Sequence, residues 1–205
     1  MKMRLLLSLA VLPLCALFGS FSAADDGDFS MGIEGGLAYA DLGAENTAQT
    51  IANVTGQTTT YEYDLATWVG RISGRYQFIE MVGAEIGVFY TGDLDVTYTI
   101  PGASQTEAYS AWGLDGALVI KDPKFPVFGK IGLHQTEVDG TRTIIIGSNT
   151  VSIADSASGA GILVGIGYEA SKQPWSVTLT YYNNVGGVDE ADVTMLNFGY
   201  RFDFQ

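Results

Sequence analysis

The residues able to do nucleophilic or acid–base chemistry are few: one histidine, His134, one cysteine, Cys15, and scattered serines and carboxylates. A hydrolase or acyltransferase needs a nucleophile beside a base, and the segment around His134 (His134-Gln135-Thr136) places no serine two residues on. No His, Cys, Asp or Glu spacing suits a metal, and no motif implies a cofactor. Eight charged residues stand apart from the rest because each is isolated in an otherwise apolar or small-residue segment. They are Glu34, Glu85, Asp115 and Glu169, and Arg71, Arg75, Lys130 and Arg201. Four acids against four bases, one or two per segment, suit mutual ion pairing better than catalysis. Such pairing is required if the groups are sealed from water, because an isolated buried ion is very costly.

The segments that carry them alternate with period two, the signature of strands. Eight such runs occur, near residues 29–39, 68–78, 82–91, 112–120, 127–134, 160–169, 175–181 and 196–204. In the first, Phe29, Met31, Ile33, Leu37 and Tyr39 share one face, and Ser30, Gly32, Glu34 and Gly36 the other. No amphipathic helical stretch is expected between the runs. Three connections are short, at Ile79–Glu80, Lys121–Pro126 and Ala170–Pro174; the other four lie around 42–66, 93–110, 136–158 and 183–192.

Residues 1–24 read as an export signal rather than as fold. Lys2 and Arg4 precede an apolar run from Leu5 to Phe18, 14 residues and too short to span a bilayer as a helix. Ser22 and Ala24 take the small-residue positions, so cleavage is expected after Ala24; a lipoprotein signal using Cys15 fits less well because Leu14 is large. The rest, 25–205, suits one domain, free of cysteine and so of disulfides. It holds 8 basic and 23 acidic residues, a net charge of −15, which argues against a nucleic-acid partner.

Alternation alone does not say which face is wet, since a soluble lipocalin-like barrel alternates too. The face opposite the aliphatic one is rich in Gly, Ala, Ser and Thr with only the eight isolated charges, unlike a water-facing surface dense in Lys and Glu. Aromatics gather at both ends of the apolar face. Tyr39, Trp68, Tyr90, Trp112 and Tyr181 stand at the long-loop end; Phe29, Tyr76, Phe78, Tyr168, Trp175, Phe202 and Phe204 stand at the other. Two girdles around an aliphatic belt are expected where rings rest at the two membrane–water interfaces. Ten residues at about 3.4 Å each, tilted about 45°, rise roughly 24 Å, the height of such a belt. Hydrocarbon offers nothing to an open sheet edge, so the barrel must close. The expectation is all-β: an eight-stranded antiparallel up-and-down transmembrane β-barrel, with short turns and both termini in the periplasm and long loops outside.

The chain's end, from Asn197 to Phe204, resembles the C-terminal assembly signal of the small OmpA/OmpX-type outer-membrane barrels. Asn197, Gly199, Phe202 and Phe204 take the polar, glycine and two aromatic positions; Gln205 departs from the pattern, whose aromatic is usually last. The resemblance covers 25–205 and implies outer-membrane location, contact with lipid and lipopolysaccharide, and recognition by the barrel assembly machinery. It brings no catalytic motif, and fold resemblance alone does not give function.

Three readings of function follow. A non-enzymatic role in envelope integrity, surface adhesion or host interaction is favoured. A lipid A-modifying enzyme is the second, disfavoured because His134 points by phase into the lumen. A narrow channel is the third, disfavoured because eight strands leave an interior that side chains fill. The outer segments carry Asp41, Glu45, Glu62, Asp64, Asp93, Asp95, Glu107, Glu137, Asp139, Asp155, Asp189, Glu190 and Asp192 against Arg142. These acids suit solubility and mutual repulsion, with divalent-cation bridging to lipopolysaccharide or capture of a basic partner as sharper options. Leu94, Val96, Tyr98 and Ile100 extend the third run, and 141–146 and 150–153 flank a Gly147-Ser148-Asn149 turn. A sheet rising above the membrane would offer an edge for another protein's strand, or serve only as a rigid loop.

Overall fold

The computed structural model describes residues 27–122, 124–169, 174–187 and 191–204. The expected export signal over 1–24, with Cys15, and Asp189, Glu190 and Gln205 lie outside the described residues. Ten strands form one antiparallel sheet: β1 (Phe29–Ala40), β2 (Thr60–Tyr63), β3 (Ala66–Ile79), β4 (Val82–Thr91), β5 (Leu94–Ile100), β6 (Ala103–Lys121), β7 (Val127–Ile146), β8 (Asn149–Glu169), β9 (Trp175–Tyr182) and β10 (Val193–Phe204). Eight of them make a ring in the order β1-β3-β4-β6-β7-β8-β9-β10, and β10 pairs back onto β1 from Phe29↔Phe204 to Ala40↔Val193. No edge remains at membrane depth, as hydrocarbon requires.

The outward face follows the alternation. Ile33, Leu37, Ile72, Val88, Ile131 and Ile166 are exposed along it, and no outward position of the belt carries a charge. A surface this apolar is stable only against lipid.

Above the belt the sheet continues. β5 extends the line of β4 after a break at Gly92-Asp93, and β2 leads into β3 across Asp64-Leu65. β6 pairs β4 along its lower half, Val82↔Ile120 to Tyr90↔Trp112, and β5 along its upper half, Leu94↔Tyr109 to Ile100↔Ala103. β7 and β8 stay paired to their tip at Ile146↔Asn149, turned by Gly147 at φ 61. The β5–β6 tip uses Pro101-Gly102, with Gly102 at φ 85, the residue pair that type II turns favour. The two outer segments in which strand alternation continues past the belt are thus hairpins, and with β2 they form a five-stranded sheet in the order β2-β5-β6-β7-β8.

The segment between β1 and β2 departs from expectation. It holds a helix, α1 (Ala44–Thr55), bounded by Gly43 at φ 60 and Gly56 at φ 66. Its buried face is Ala44 and Ala48, packed with Leu42 and Ile51 against Val96 and Tyr98 of β5. A stripe made mostly of alanine, set among Thr and Asn, gives a faint amphipathic pattern, and most of the helix's stability comes from docking on the sheet.

Candidate functional site

The lumen is built in two layers. The lower one gathers all eight charged residues singled out by phase. Arg71 sits at the centre, on β3 between strands that bring carboxylates from three directions. Its Nε and Nη2 donate to Asp115 Oδ2 and Oδ1 at 2.9 and 2.6 Å, a bidentate fork. Its Nη1 donates to Glu34 Oε1 at 2.6 Å and its Nη2 also to Glu85 Oε1 at 2.9 Å. Arg75 forks onto Glu85 Oε2 at 3.1 and 2.9 Å and donates to Glu169 Oε2 at 2.8 Å. Arg201 reaches Glu85 Oε2 at 3.4 Å and Ser30 Oγ at 3.2 Å, and the Lys130 ammonium lies 3.7 Å from Glu85. Every guanidinium in this set is buried, so each charge depends on its neighbours rather than on water.

Two members of this layer have no counterpart among the eight. Lys121 donates to Glu169 Oε1 at 2.9 Å at the short-turn end, and Tyr182 donates its hydroxyl to Asp115 Oδ2 at 3.0 Å. Both follow the inward phase of their strands: Lys121 continues Asp115, Ala117 and Val119, and Tyr182 continues Ser176, Thr178 and Thr180. Gly167 makes room for the ring of Phe128, since a Cβ there would lie 2.3 Å from it. Arg75 in turn rests over that ring at 4.8 Å.

The upper layer is apolar, which the alternation with small polar residues did not suggest. Val69, Phe89, Leu163, Tyr182, Val193 and Met195 pack inside the barrel mouth. Phe89 and Tyr182 meet with ring centroids 5.2 Å apart, so aromatic packing closes the lumen directly above the ions. His134 lies inside as well, 3% exposed, its Nε2 2.7 Å from the Asn183 carbonyl and its ring edge-on to Tyr182. It faces packed side chains, away from the lipid belt.

The girdle residues occupy the outward face. Tyr39, Trp68, Tyr90 and Trp112 fall on four consecutive ring strands, with Trp68 and Tyr90 5.6 Å apart, and Tyr181 donates to Asp192. Trp175 stacks on Phe198 at the opposite end of the belt, centroids 6.1 Å apart. Of the C-terminal set, Phe202 and Phe204 point outward, and Phe204 meets Phe29 at 6.0 Å. Gly199 and Asn197 point inward. Asn197 is 1% exposed and its amide has no hydrogen-bond partner among the described residues.

Outside the membrane, Glu107 differs from the other surface acids. It is buried beneath α1, where it accepts from Arg142 Nε at 2.6 Å, Tyr109 Oη at 2.6 Å and Gln105 Nε2 at 2.8 Å. Burial, with Glu107 beside it, pushes the Tyr109 phenol above its ordinary value, and burial raises Tyr98 likewise. Glu107 and Arg142 therefore cancel, and the remaining outer charges are acidic. Among the described residues, no three of the carboxylate, imidazole or thiol groups converge to hold a metal. On the far side of this sheet, residues 149–158 of β8 pair with β7 alone, because β9 joins only from Leu163↔Tyr182 downward. That stretch is exposed along its whole length.

The sequence matches the family described as outer membrane protein beta-barrel domain over residues 10–203. This chain belongs to that family, and it is a protein of the Gram-negative bacterial outer membrane. No curated protein matches it. Among solved structures it is similar to Ail, the attachment invasion locus protein of Yersinia pestis, in complex with the heparin analogue sucrose octasulfate. The two are 13% identical, with a TM-score of 0.52, over 86% of this chain and 99% of that one. The outer membrane protein OprG from Pseudomonas aeruginosa is 15% identical, with a TM-score of 0.40, over 84% of this chain and 95% of that one. At these identities the likeness concerns the fold.

Proposed function

From its membership of that family we propose that this protein is a non-enzymatic surface adhesin, whose filled barrel anchors an outer sheet that captures a basic polypeptide on a host cell or neighbouring surface. The observation that carries this reading is the unpaired β8 edge over 149–158, raised above the membrane on a continuous hairpin. Such an edge presents a row of backbone donors and acceptors and can take an added strand. Asp155 on that edge, with Glu137 and Asp139 nearby on β7, sets a negative field that attracts cationic segments and repels anionic ones. The solved Ail complex contains a sulfated, anionic ligand; the acidic outer surface of this chain suits the opposite charge. The lumen contributes rigidity: its ion pairs and aromatic layer fill the space a solute would need.

Two further roles belong to the same reading. Asn197, Gly199, Phe202 and Phe204 would serve recognition by the barrel assembly machinery, and the two aromatic girdles would fix the barrel's height in lipid and lipopolysaccharide. The export signal over 1–24 would deliver the chain to the periplasm.

The test uses the protein in lipid nanodiscs, immobilised and titrated with a lysine-rich polypeptide and, separately, with heparin. Binding of the polypeptide that weakens with salt and is lost when 141–153 is replaced by a two-residue turn supports the proposal. Tighter binding of heparin, or polypeptide binding indifferent to the hairpin, overturns it.

A further inference from the structure

Above the aromatic layer the barrel mouth holds a cavity of about 460 Å³ that the adhesive role does not use. Its floor is Ala38, Phe89 and Met195, each 1% exposed. Its walls include Leu94 of β5, Val138 of β7 and Val185 of the last outer segment. α1 roofs part of it through Asn46 and Thr47. The cavity is blind: Phe89 packs on Tyr182, and Tyr182 is tied to Asp115 in the ionic layer below.

Two of the polar wall groups, Thr91 and Tyr109, are occupied within the chain. Thr91 Oγ1 accepts from the Ala111 amide at 2.9 Å and faces the Ala111 carbonyl at 3.3 Å, and Tyr109 donates to Glu107. A ligand therefore gains from burying apolar surface rather than from new hydrogen bonds. An apolar cavity of about 150 Å³ takes one benzene ring and stays otherwise dry, so this one has room for a fused ring with a short side chain. At the mouth stand two carboxylates: Asp41 accepts from the Gly43 amide at 3.0 Å, and Asp192 accepts from the Asn184 amide at 3.3 Å and from the Tyr181 hydroxyl.

We propose that the barrel mouth is a binding site for a small aromatic molecule that is neutral or cationic, with anionic analogues excluded by Asp41 and Asp192. The ring rests on Phe89 and Met195, and a cationic side chain points outward between the two carboxylates. Because the ionic layer closes the lumen beneath it, the site captures such a molecule without passing it across the membrane.

Three probes share one ring and differ in charge: indole, tryptamine and indole-3-acetate. Each is titrated into methyl-labelled protein in nanodiscs while the Met195, Val138 and Leu94 methyl signals are followed, with the lipid-facing Ile131 methyl as the partition control. The expected result is saturable shifts at the three cavity methyls for indole and tryptamine, about tenfold weaker or absent for indole-3-acetate given two carboxylates at the mouth. Ala111→Phe and, separately, Ala40→Leu fill the space, and each weakens indole binding at least about tenfold. Both variants are first checked for the heat-dependent mobility shift of a folded barrel. Shifts that never saturate, or that persist in both filled variants, overturn the site. Equal binding of indole-3-acetate and tryptamine overturns the charge selection.

Discussion

Arg71→Met is the perturbation that the lumen geometry predicts most sharply. The substitution keeps a long side chain but removes the cation that holds Glu34, Glu85 and Asp115. The three carboxylates are not left equal. Glu85 keeps Arg75 at 2.9 Å, with Lys130 and Arg201 nearby, whereas the direct contacts left are Ser73 at 3.2 Å for Glu34 and Tyr182 at 3.0 Å for Asp115, with Lys130 acting on both from farther away. Two buried anions therefore lose the one cation in direct contact with them. Breaking a buried ion pair from one side destabilises by about 3–5 kcal/mol, and the two stranded groups place this variant toward the upper end of that range. The assay is reversible urea unfolding in phospholipid vesicles, followed by tryptophan fluorescence. The triple variant Arg71→Met, Glu34→Gln, Asp115→Asn removes the stranded charges and should recover at least half of the loss, because ion sets replaced as a whole are often nearly neutral. A single variant within about 1 kcal/mol of the parent, or a triple variant no more stable than the single, would refute the reasoning.

Four further outcomes are expected. Asn197→Leu should refold in vitro with a urea midpoint at or above the parent's, since it removes a buried amide without a partner, yet accumulate poorly in the outer membrane of cells; loss of both would make Asn197 merely structural. Tyr109 is raised by burial and by Glu107, so its contribution to the outer sheet is full below the ordinary tyrosine pKa, about 10, and lost as pH rises through the folded value. The ring carbon shift of labelled Tyr109 should stay that of the phenol at pH values where free tyrosine ionises, and Glu107→Gln should bring its titration down. In planar bilayers neither the parent nor Phe89→Ala with Tyr182→Ala should give reproducible conductance steps, because the ionic layer around Arg71 still closes the lumen below; steps from the parent would restore the channel reading. Expression should leave the acyl pattern of lipid A unchanged by mass spectrometry, with or without His134→Ala, and a new acyl species dependent on His134 would establish an enzyme.

The barrel was legible because its constraints are global. Lipid demands an unbroken apolar face and a closed ring, and the narrow lumen demands that inward charges meet; period two and charge phase encode both directly. Arg71 and Asp115, 44 residues apart, could be assigned to one cluster on phase alone. What escaped is local or cumulative. α1 rests on alanines whose burial becomes visible only once β5 is beneath them. Lys121 and Tyr182 are the last residues of β6 and β9, one position past the clear alternation of 112–120 and 175–181, and take the inward phase of those strands. The apolar layer around Phe89 and Met195 uses inward positions that look, strand by strand, like isolated exceptions to a polar face. Glu107 reads as one more surface acid until its pairing across β6 and β7 with Arg142 is known. The cavity has no sequence signature at all, being the space left between six separate stretches of sequence.

The account's central claim is that the raised sheet, not the barrel, engages the partner. Attachment of whole cells to epithelial monolayers tests it directly, comparing the parent with a variant in which 141–153 is replaced by a two-residue turn, both matched for outer-membrane level and heat-modifiable mobility. The account predicts that attachment falls to the level of cells lacking the protein, and that soluble lysine-rich polypeptide reduces the parent's attachment in the same way. Undiminished attachment by the correctly folded, truncated variant would contradict it.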